Sequence, residues 1–246
     1  MNKTLAGQSA IVTGGARGIG LGIAKRLAAE GCRVALWDLS FEQFDVSAAG
    51  FNPASLQTVD VANHEAVQRT YTATVADLGE IDILINNAGI NGPIANTWDY
   101  PVDAWDRVLA VNLTGVFYCT RAVLPSMRQR KYGRIVNIAS MAGKEGTPGI
   151  SGYAAAKGGL IAFTKSVARE VTDCGVMINA VAPALTETEL FAQMTPEHIE
   201  LMKSKIPMGR CVQIDDIASL VAWIVSPGCS FTTGFTFDVS GGRAVY

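Results

Sequence analysis

Short apolar runs alternate with longer stretches of helical period along all 246 residues of the chain. Ala10-Ile11-Val12 predicts a first strand, which leads into a Gly-rich turn. Leu21 to Glu30 then repeats its apolar residues at helical spacing until Gly31 stops it. Val34 to Trp37 predicts a second strand ending at Asp38, Leu56 to Val59 a third and Ile81 to Ile85 a fourth. A helix is expected from Asn63 to Asp77, and Trp105 to Met127 carries a long apolar helical face. Arg134 to Ile138, Val176 to Val181 and Phe235 to Val239 complete seven strand candidates, while Phe41 to Ser55 reads as irregular. Strands that alternate with helices imply right-handed β-α-β units and a parallel sheet covered on both faces. No linker, low-complexity tract or internal repeat divides the chain. Residues 1–246 are therefore expected to form a single α/β domain, a doubly wound seven-stranded parallel sheet flanked by helices.

Composition narrows the function. The net charge is −2 with no Lys/Arg block or basic helix face, which argues against nucleic acid as a partner. Leu220 to Val225 is too short for a membrane span, and no other apolar run approaches that length, so no membrane partner is expected. Met1 to Gln8 lacks an apolar leader core and reads as a mature cytoplasmic start. Cys32, Cys119, Cys174, Cys211 and Cys229 are odd in number and contain no C-x-x-C, the pattern of reduced core thiols in a reducing compartment. His64 and His198 are far apart without ligand spacing, so neither a histidine metal site nor a Ser-His-Asp triad is expected, and no metal is called for.

The turn after the first strand reads Thr13-Gly14-Gly15-Ala16-Arg17-Gly18-Ile19-Gly20 and opens the first helix. Glycines let a backbone turn sharply and approach a phosphate, and the helix N-terminus adds unpaired N–H groups with a partial positive charge. The spacing is G-x-x-x-G-x-G rather than G-x-G-x-x-G, and a plain turn also fits a chain with 25 glycines. Asp38 ends the second strand, where an acid accepts hydrogen bonds from adenosine ribose hydroxyls. A carboxylate there repels a 2′-phosphate, so NAD is expected over NADP. Asp38 capping the following segment is the other reading. Arg17 belongs to the loop and Arg33 starts the strand rather than ending it, so neither supplies the opposing charge.

Tyr153 and Lys157 stand four residues apart, about one helical turn, and project from one helix face. An unperturbed phenol has a pKa of about 10, and lowering it by roughly 3 units needs about 4 kcal/mol of differential interaction. A neighbouring ammonium acts in that direction.

Further signals follow in order: Asn86-Asn87-Ala88-Gly89 after the fourth strand, Asn112 in the long helix, Ser140 after the fifth strand, Tyr153-x-x-x-Lys157, and Pro183 with Thr188 beyond the sixth. Together with the Gly-rich turn these resemble the short-chain dehydrogenase/reductase family in its compact single-domain branch, over Gly7 to Gly242. The resemblance implies a Rossmann-type sheet and a nicotinamide cofactor. It implies that Gly14, Arg17, Gly18, Ile19 and Gly20 line the pyrophosphate, that Asp38 and Leu39 meet the adenosine ribose, and that Asp60 and Val61 hold adenine. Asn87, Ala88 and Gly89 then flank the cofactor, although Asn86 and Asn87 also suit satisfying buried backbone. Pro183, Leu185, Thr186 and Thr188 lie on the nicotinamide side, Thr188 at the carboxamide. Ala184 and Thr186 depart from the family's usual Gly and Ile/Val. Ser140 is implied to bind the substrate oxygen, Tyr153 to exchange its proton, and Lys157 to bind the nicotinamide ribose while keeping Tyr153 acidic. Asn112 is implied to anchor a water linking Lys157 to solvent. The same resemblance implies a homotetramer, paired through the helices at Trp105 to Met127 and Tyr153 to Val171 and through the last strand with Gly241-Gly242.

The expected activity is NAD-dependent oxidation of a secondary alcohol, most specifically a hydroxyl of a 2-keto-3-deoxy sugar acid. The competing readings are a 3-oxoacyl thioester reductase and a non-catalytic nucleotide sensor on the same scaffold. Lys144, Glu145 and Arg243 are candidate substrate contacts, Lys144 and Arg243 for a carboxylate, although solvated surface charges fit them equally. A substrate lid is expected over residues 187–210, with Phe191 facing the site.

Overall fold

The computed structural model describes residues 3–187, 200, 201, 203–244 and 246. Within them run β1 (Ser9–Thr13), α1 (Gly18–Ala29), β2 (Arg33–Asp38), α2 (Val46–Ala49), β3 (Ser55–Thr58), α3 (His64–Leu78) and β4 (Ile83–Asn86). The second half holds α4 (Val102–Leu109), α5 (Gly115–Arg130), β5 (Gly133–Ile138), α6 (Met141–Glu145), α7 (Ser151–Glu170), β6 (Val176–Pro183), α8 (Ile214–Val225) and β7 (Thr236–Val239). The seven strands form one parallel sheet in the order β3-β2-β1-β4-β5-β6-β7. The order reverses between β1 and β4, whose paired residues include Ala10 with Ile83 and Val12 with Ile85. In doubly wound sheets the crevice for ligands opens at the carboxyl ends of the two strands flanking that reversal.

Both faces of the sheet centre are covered, so β1, β4, β5 and β6 are buried along nearly their whole length rather than on alternate residues, while the edge strands β3 and β7 are more open. Along β1, Ala10 and Val12 face one side with Ile23, Ala24 and Leu27 of α1 and Ile217, Val221 and Val225 of α8. Ile11 faces the other side with Val67 of α3, Val123 and Met127 of α5, Val167 of α7 and Val171 just after it. All of these residues except Val167 are at most 2% exposed. Burying an aliphatic side chain of this kind contributes about 1.5–3 kcal/mol against leaving it in water, so the core rather than helix propensity holds the layers together.

The Phe41–Ser55 segment is irregular, as expected, with the one short helix α2 inside it, whose N-cap Asp45 accepts from the Ser47 N–H at 2.8 Å. Two local features differ from the sequence expectations. The predicted Trp105–Met127 helix is a longer run, Val102–Arg130, in which α4 and α5 are joined by a π turn at Ala110–Thr114. That run is 29 residues long and its most apolar 18-residue window has a mean hydropathy of 1.4, enough by length and composition to cross a membrane, contrary to the expectation that no such stretch exists. Half of its most apolar window is buried inside the protein, as in a core helix. Of the predicted 187–210 lid, residues 188–199 and 202 fall outside the described residues, and Thr188 and Phe191 with them. The foot of that segment is tied down: the Val212 N–H donates to the Leu185 carbonyl and the Glu187 N–H to the Val212 carbonyl, both at 2.9 Å.

Candidate active site

The groups singled out from the sequence converge on the carboxyl edge of β1, β4 and β5. At the β1 end, the Thr13 hydroxyl accepts the N–H groups of Asn87 at 3.0 Å and Ala88 at 3.1 Å, joining the Gly-rich turn to the segment after β4. The Asn87 side chain donates to the Thr13 and Gly14 carbonyls, both at 3.0 Å, so it braces the turn. Its amide hydrogens are committed to backbone, which leaves its side-chain carbonyl oxygen for the expected cofactor contact. Asn86 does the same work deeper, donating to Asn137 at 2.9 Å and Thr120 at 3.2 Å. Gly20 permits the turn to close on α1, because a Cβ there would lie 2.0 Å from the Gly14 carbonyl oxygen. Helix α1 begins without a side-chain cap at Arg17, which leaves its first N–H groups for an anion.

Asp38 ends β2 facing this loop. One carboxylate oxygen accepts the Ala16 N–H at 2.9 Å and the other the Leu39 N–H at 2.8 Å. Asp38 therefore braces the loop and caps the next residue, and each oxygen keeps capacity for a ribose hydroxyl. Asp60 is held by Arg107 of α4 at 2.9 Å and by the Ala62 N–H at 2.9 Å. Although desolvation alone raises the Asp60 carboxyl, those hydrogen bonds outweigh it, and its pKa lies below the ordinary value. Val61 is buried beside it.

Tyr153 and Lys157 share a face of α7, with the Lys157 ammonium 5.6 Å from the Tyr153 ring centroid. Lys157 is 4% exposed, and its ammonium donates to the Ile138 carbonyl at the end of β5 at 2.7 Å. Burial pulls its pKa from 10.5 down to about 8. Tyr153 moves the other way: desolvation raises the phenol, and the Ser140 hydroxyl partly offsets the rise. Within the chain the Ser140 hydroxyl opposes that rise, beside the Lys157 ammonium that was expected to keep the phenol acidic. Ser140 sits where β5 meets α6, its hydroxyl accepting the Ala142 N–H at 3.1 Å as the N-cap.

Asn112 occupies the π turn at 0% exposure. Its amide donates to the Ile90 carbonyl at 2.8 Å and the Val108 carbonyl at 2.9 Å, while its carbonyl oxygen is buried with no partner. Gly89 lies against that oxygen: a Cβ there would stand 2.6 Å from Asn112 Oδ1 and 3.6 Å from Lys157 Nζ. The glycine keeps open a polar gap between the two side chains, suited to a hydrogen-bonded bridge. An uncapped helix start, a carboxylate at the β2 end and this orphaned acceptor together fit a dinucleotide lying across the switch point. On the far side, β6 ends at Pro183, and the Thr186 hydroxyl donates to the Ala184 carbonyl at 3.0 Å.

The charges expected to meet substrate are engaged elsewhere. Lys144 pairs with Asp238 of β7 at 2.7 Å and also donates to the Tyr246 backbone oxygen. Arg243 grips Glu145 through three contacts of 2.5–3.2 Å. Lys144, Glu145 and Arg243, expected as candidate substrate contacts, each have an ion-pair partner within the chain. The sequence analysis missed Thr13 and the Ile138 carbonyl. The first appeared only as the start of the Gly-rich turn, and the second is a main-chain group without a residue signature.

Known proteins match this arrangement along its length. The family model for enoyl-(acyl carrier protein) reductase matches residues 14–244. The chain is 46% identical over 241 residues to 2-dehydro-3-deoxy-L-rhamnonate dehydrogenase (NAD(+)) of Sphingomonas sp. (strain SKA58), covering 98% of this chain and 97% of that one. It is 38% identical to a 3-oxoacyl-(acyl-carrier-protein) reductase of Vibrio cholerae, covering 97% and 98%. The crystal structure of NAD+-bound xylitol dehydrogenase superposes with a TM-score of 0.90 at 34% identity, over 97% of this chain and 99% of that one.

The buried ammonium gives a test of the site that does not depend on turnover. The folded protein binds the Lys157 proton less tightly than the unfolded chain, so between pH 8 and 10.5 the contribution of Lys157 to stability rises with pH. Across the whole window that contribution grows by about 3 kcal/mol. Buried Cys32, Cys119 and Tyr153 act in the opposite sense at high pH in both proteins, so in urea unfolding from pH 7 upward the stability of the native protein relative to Lys157→Met should rise across this window. Parallel profiles would mean that Lys157 titrates normally.

With its fold, its site and its relatives in agreement over nearly the whole length, the chain belongs to the short-chain dehydrogenase/reductase family of oxidoreductases acting on CH–OH groups.

Proposed function

We propose that the protein is an NAD-dependent dehydrogenase that oxidises a secondary hydroxyl of a 2-keto-3-deoxy sugar acid. The observation that carries the cofactor half is Asp38, whose carboxylate faces the Gly-rich loop with spare acceptor capacity. The relative from Sphingomonas, named for NAD(+) and a 2-keto-3-deoxy sugar acid, supports the substrate half.

In this reading the N-terminus of α1 and the loop Gly14 to Gly20 hold the pyrophosphate, Asp38 the adenosine ribose, and Val61 with Asp60 the adenine. Bound NAD supplies the carbon that accepts a hydride from the carbinol. Ser140 orients the substrate oxygen, and Tyr153 takes the hydroxyl proton as general base. Lys157, positively charged below about pH 8, binds ribose and stabilises negative charge arising at the phenol and the alkoxide. Asn112 offers its unpartnered carbonyl oxygen to a proton path running from Lys157 toward solvent. The segment 187–210 serves as the substrate lid.

The strongest competing reading is a 3-oxoacyl thioester reductase, favoured by the Vibrio relative. Asp38 opposes a 2′-phosphate and so weighs against a reductase that uses NADPH. Assembly also belongs to the proposal: a homotetramer would cover Phe117 of α5, Trp223 of α8 and Phe235 before β7, which are 44%, 45% and 54% exposed in the single chain.

Three measurements test these statements. Incubation with NAD and a 2-keto-3-deoxy sugar acid should generate NADH, and Tyr153→Phe should remove nearly all of that signal while still binding NADH. Faster oxidation of 3-hydroxyacyl thioesters would instead favour the reductase. The kcat/KM with NAD should exceed that with NADP at least about tenfold, or about 1.4 kcal/mol. Asp38→Ala should erode the gap, and equal use of both cofactors by the native enzyme would sink the assignment. Sedimentation at micromolar concentration should give a tetramer; a monomer alone would exclude that assembly.

A further inference from the structure

We infer that Arg243, in the segment following β7, positions Ser140 by gripping Glu145 at the far end of helix α6. The inference rests on the proposed role of Ser140 and adds a residue distant in sequence, Arg243, to the machinery that sets it.

Helix α6 spans only Met141–Glu145, too short to be stable without tertiary support. It is physically continuous with Ser140. The hydroxyl accepts the Ala142 N–H at 3.1 Å, and the Gly143 N–H donates to the Ser140 carbonyl at 3.0 Å. A tilt or slide of α6 therefore carries the Ser140 oxygen with it.

On one side α6 rests on α7 through bare backbone. A Cβ on Gly143 would lie 2.5 Å from the Lys157 carbonyl carbon, and one on Gly158 would lie 3.2 Å from the Gly143 oxygen. A glycine-on-glycine contact allows close approach but has no interdigitating side chains to set register. Met141, 2% exposed in the core, anchors the start of α6, and the far end of the helix is held from the other side. There Lys144 pairs with Asp238, with side chains 12% and 21% exposed, and Arg243 pairs with Glu145, with side chains 11% and 24% exposed. The three-contact geometry of Arg243 on Glu145 fixes direction as well as distance. The segment bearing Arg243 is itself anchored: the Arg243 N–H donates to the Ser240 carbonyl at 3.1 Å, the Ala244 N–H donates to the Ser240 hydroxyl at 3.2 Å, and Ala244 is buried in the core. Being shielded and paired, the two ions depend on each other, and removing one leaves the other uncompensated.

Arg243 is thus a positioning residue, and a double-mutant cycle with Ser140 separates that role from a merely structural one. The assay substrate is any secondary alcohol that the native enzyme oxidises. Arg243→Glu should lower kcat at least about tenfold while NADH affinity stays within about twofold, and in Ser140→Ala the same change should cost less than about twofold more. The reversed pair Glu145→Arg/Arg243→Glu should recover kcat to within about threefold of native, which also guards against a single variant that fails to fold. Because Ser140 opposes the burial-driven rise of the Tyr153 phenol, Arg243→Glu should also shift the ascending, acid-side limb of the kcat profile for alcohol oxidation to higher pH. Multiplicative losses in the Ser140→Ala background, or an unchanged kcat in Arg243→Glu, would overturn the inference. If Ser140→Ala itself retained full kcat, the proposed role of Ser140 would fail instead, independently of Arg243.

Discussion

Lys157 places an ammonium in a position that water scarcely reaches, with the Ile138 carbonyl as its hydrogen-bond partner within the chain at 2.7 Å. A buried charge is costly unless paired or strongly hydrogen-bonded, and here the cost shows as a pKa drawn down to about 8. The neighbouring groups follow from holding that charge in place. β5 must end where its last carbonyl faces α7, Gly89 must lack a side chain, and Asn112 must present its oxygen across the gap. The π turn at Ala110–Thr114 shifts the helix by one residue within its run, so that the Asn112 amide can bond the Val108 carbonyl and the Ile90 carbonyl together. Such turns recur where a helix has been adjusted for function.

Lys157 and Tyr153 pull against each other in a way that suits proton transfer. Burial penalises the ammonium and the phenolate alike, lowering one pKa and raising the other. The penalty is smaller when both charges are present together, since opposite charges in a poorly screened site attract strongly. Loss of a proton from the phenol thus becomes easier only while the ammonium remains charged. Ser140 adds a hydrogen bond that favours the ionised phenol, and its own direction is set by α6. A proton-transfer group of this kind depends on two elements, α7 and α6, that meet through glycine backbone.

Much of this was legible in the sequence because it is local. The strands announced themselves as apolar runs since both sheet faces are buried, and the Gly-rich turn, Asp38, Asn112, Ser140 and the Tyr153–Lys157 pair each sit at a fixed offset from a strand or helix. The parts that were not legible are those in which distant segments meet. Nothing near Asn87 in sequence says that its amide will be used to brace the Thr13 and Gly14 carbonyls 73 and 74 residues away. The Ile138 carbonyl carries no side-chain signature at all. The π turn is a change of hydrogen-bond register that residue types in Ala110 to Thr114 do not encode by propensity.

The charged residues around α6 show why proximity in sequence misleads about electrostatics. Lys144 lies four positions beyond Ser140, which made it a natural partner for a substrate carboxylate. Whether a cation near a site meets a ligand depends on the net charge it faces, and that is decided by residues 94 and 98 positions away. Once Asp238 and Glu145 are counted, the α6 end of the site carries two closed ion pairs rather than two cations. Closed pairs attract a passing carboxylate weakly, but they hold geometry well, particularly when most of each side chain is shielded from solvent. The charges at the end of α6 act on the reaction through Ser140, as orientation rather than as attraction.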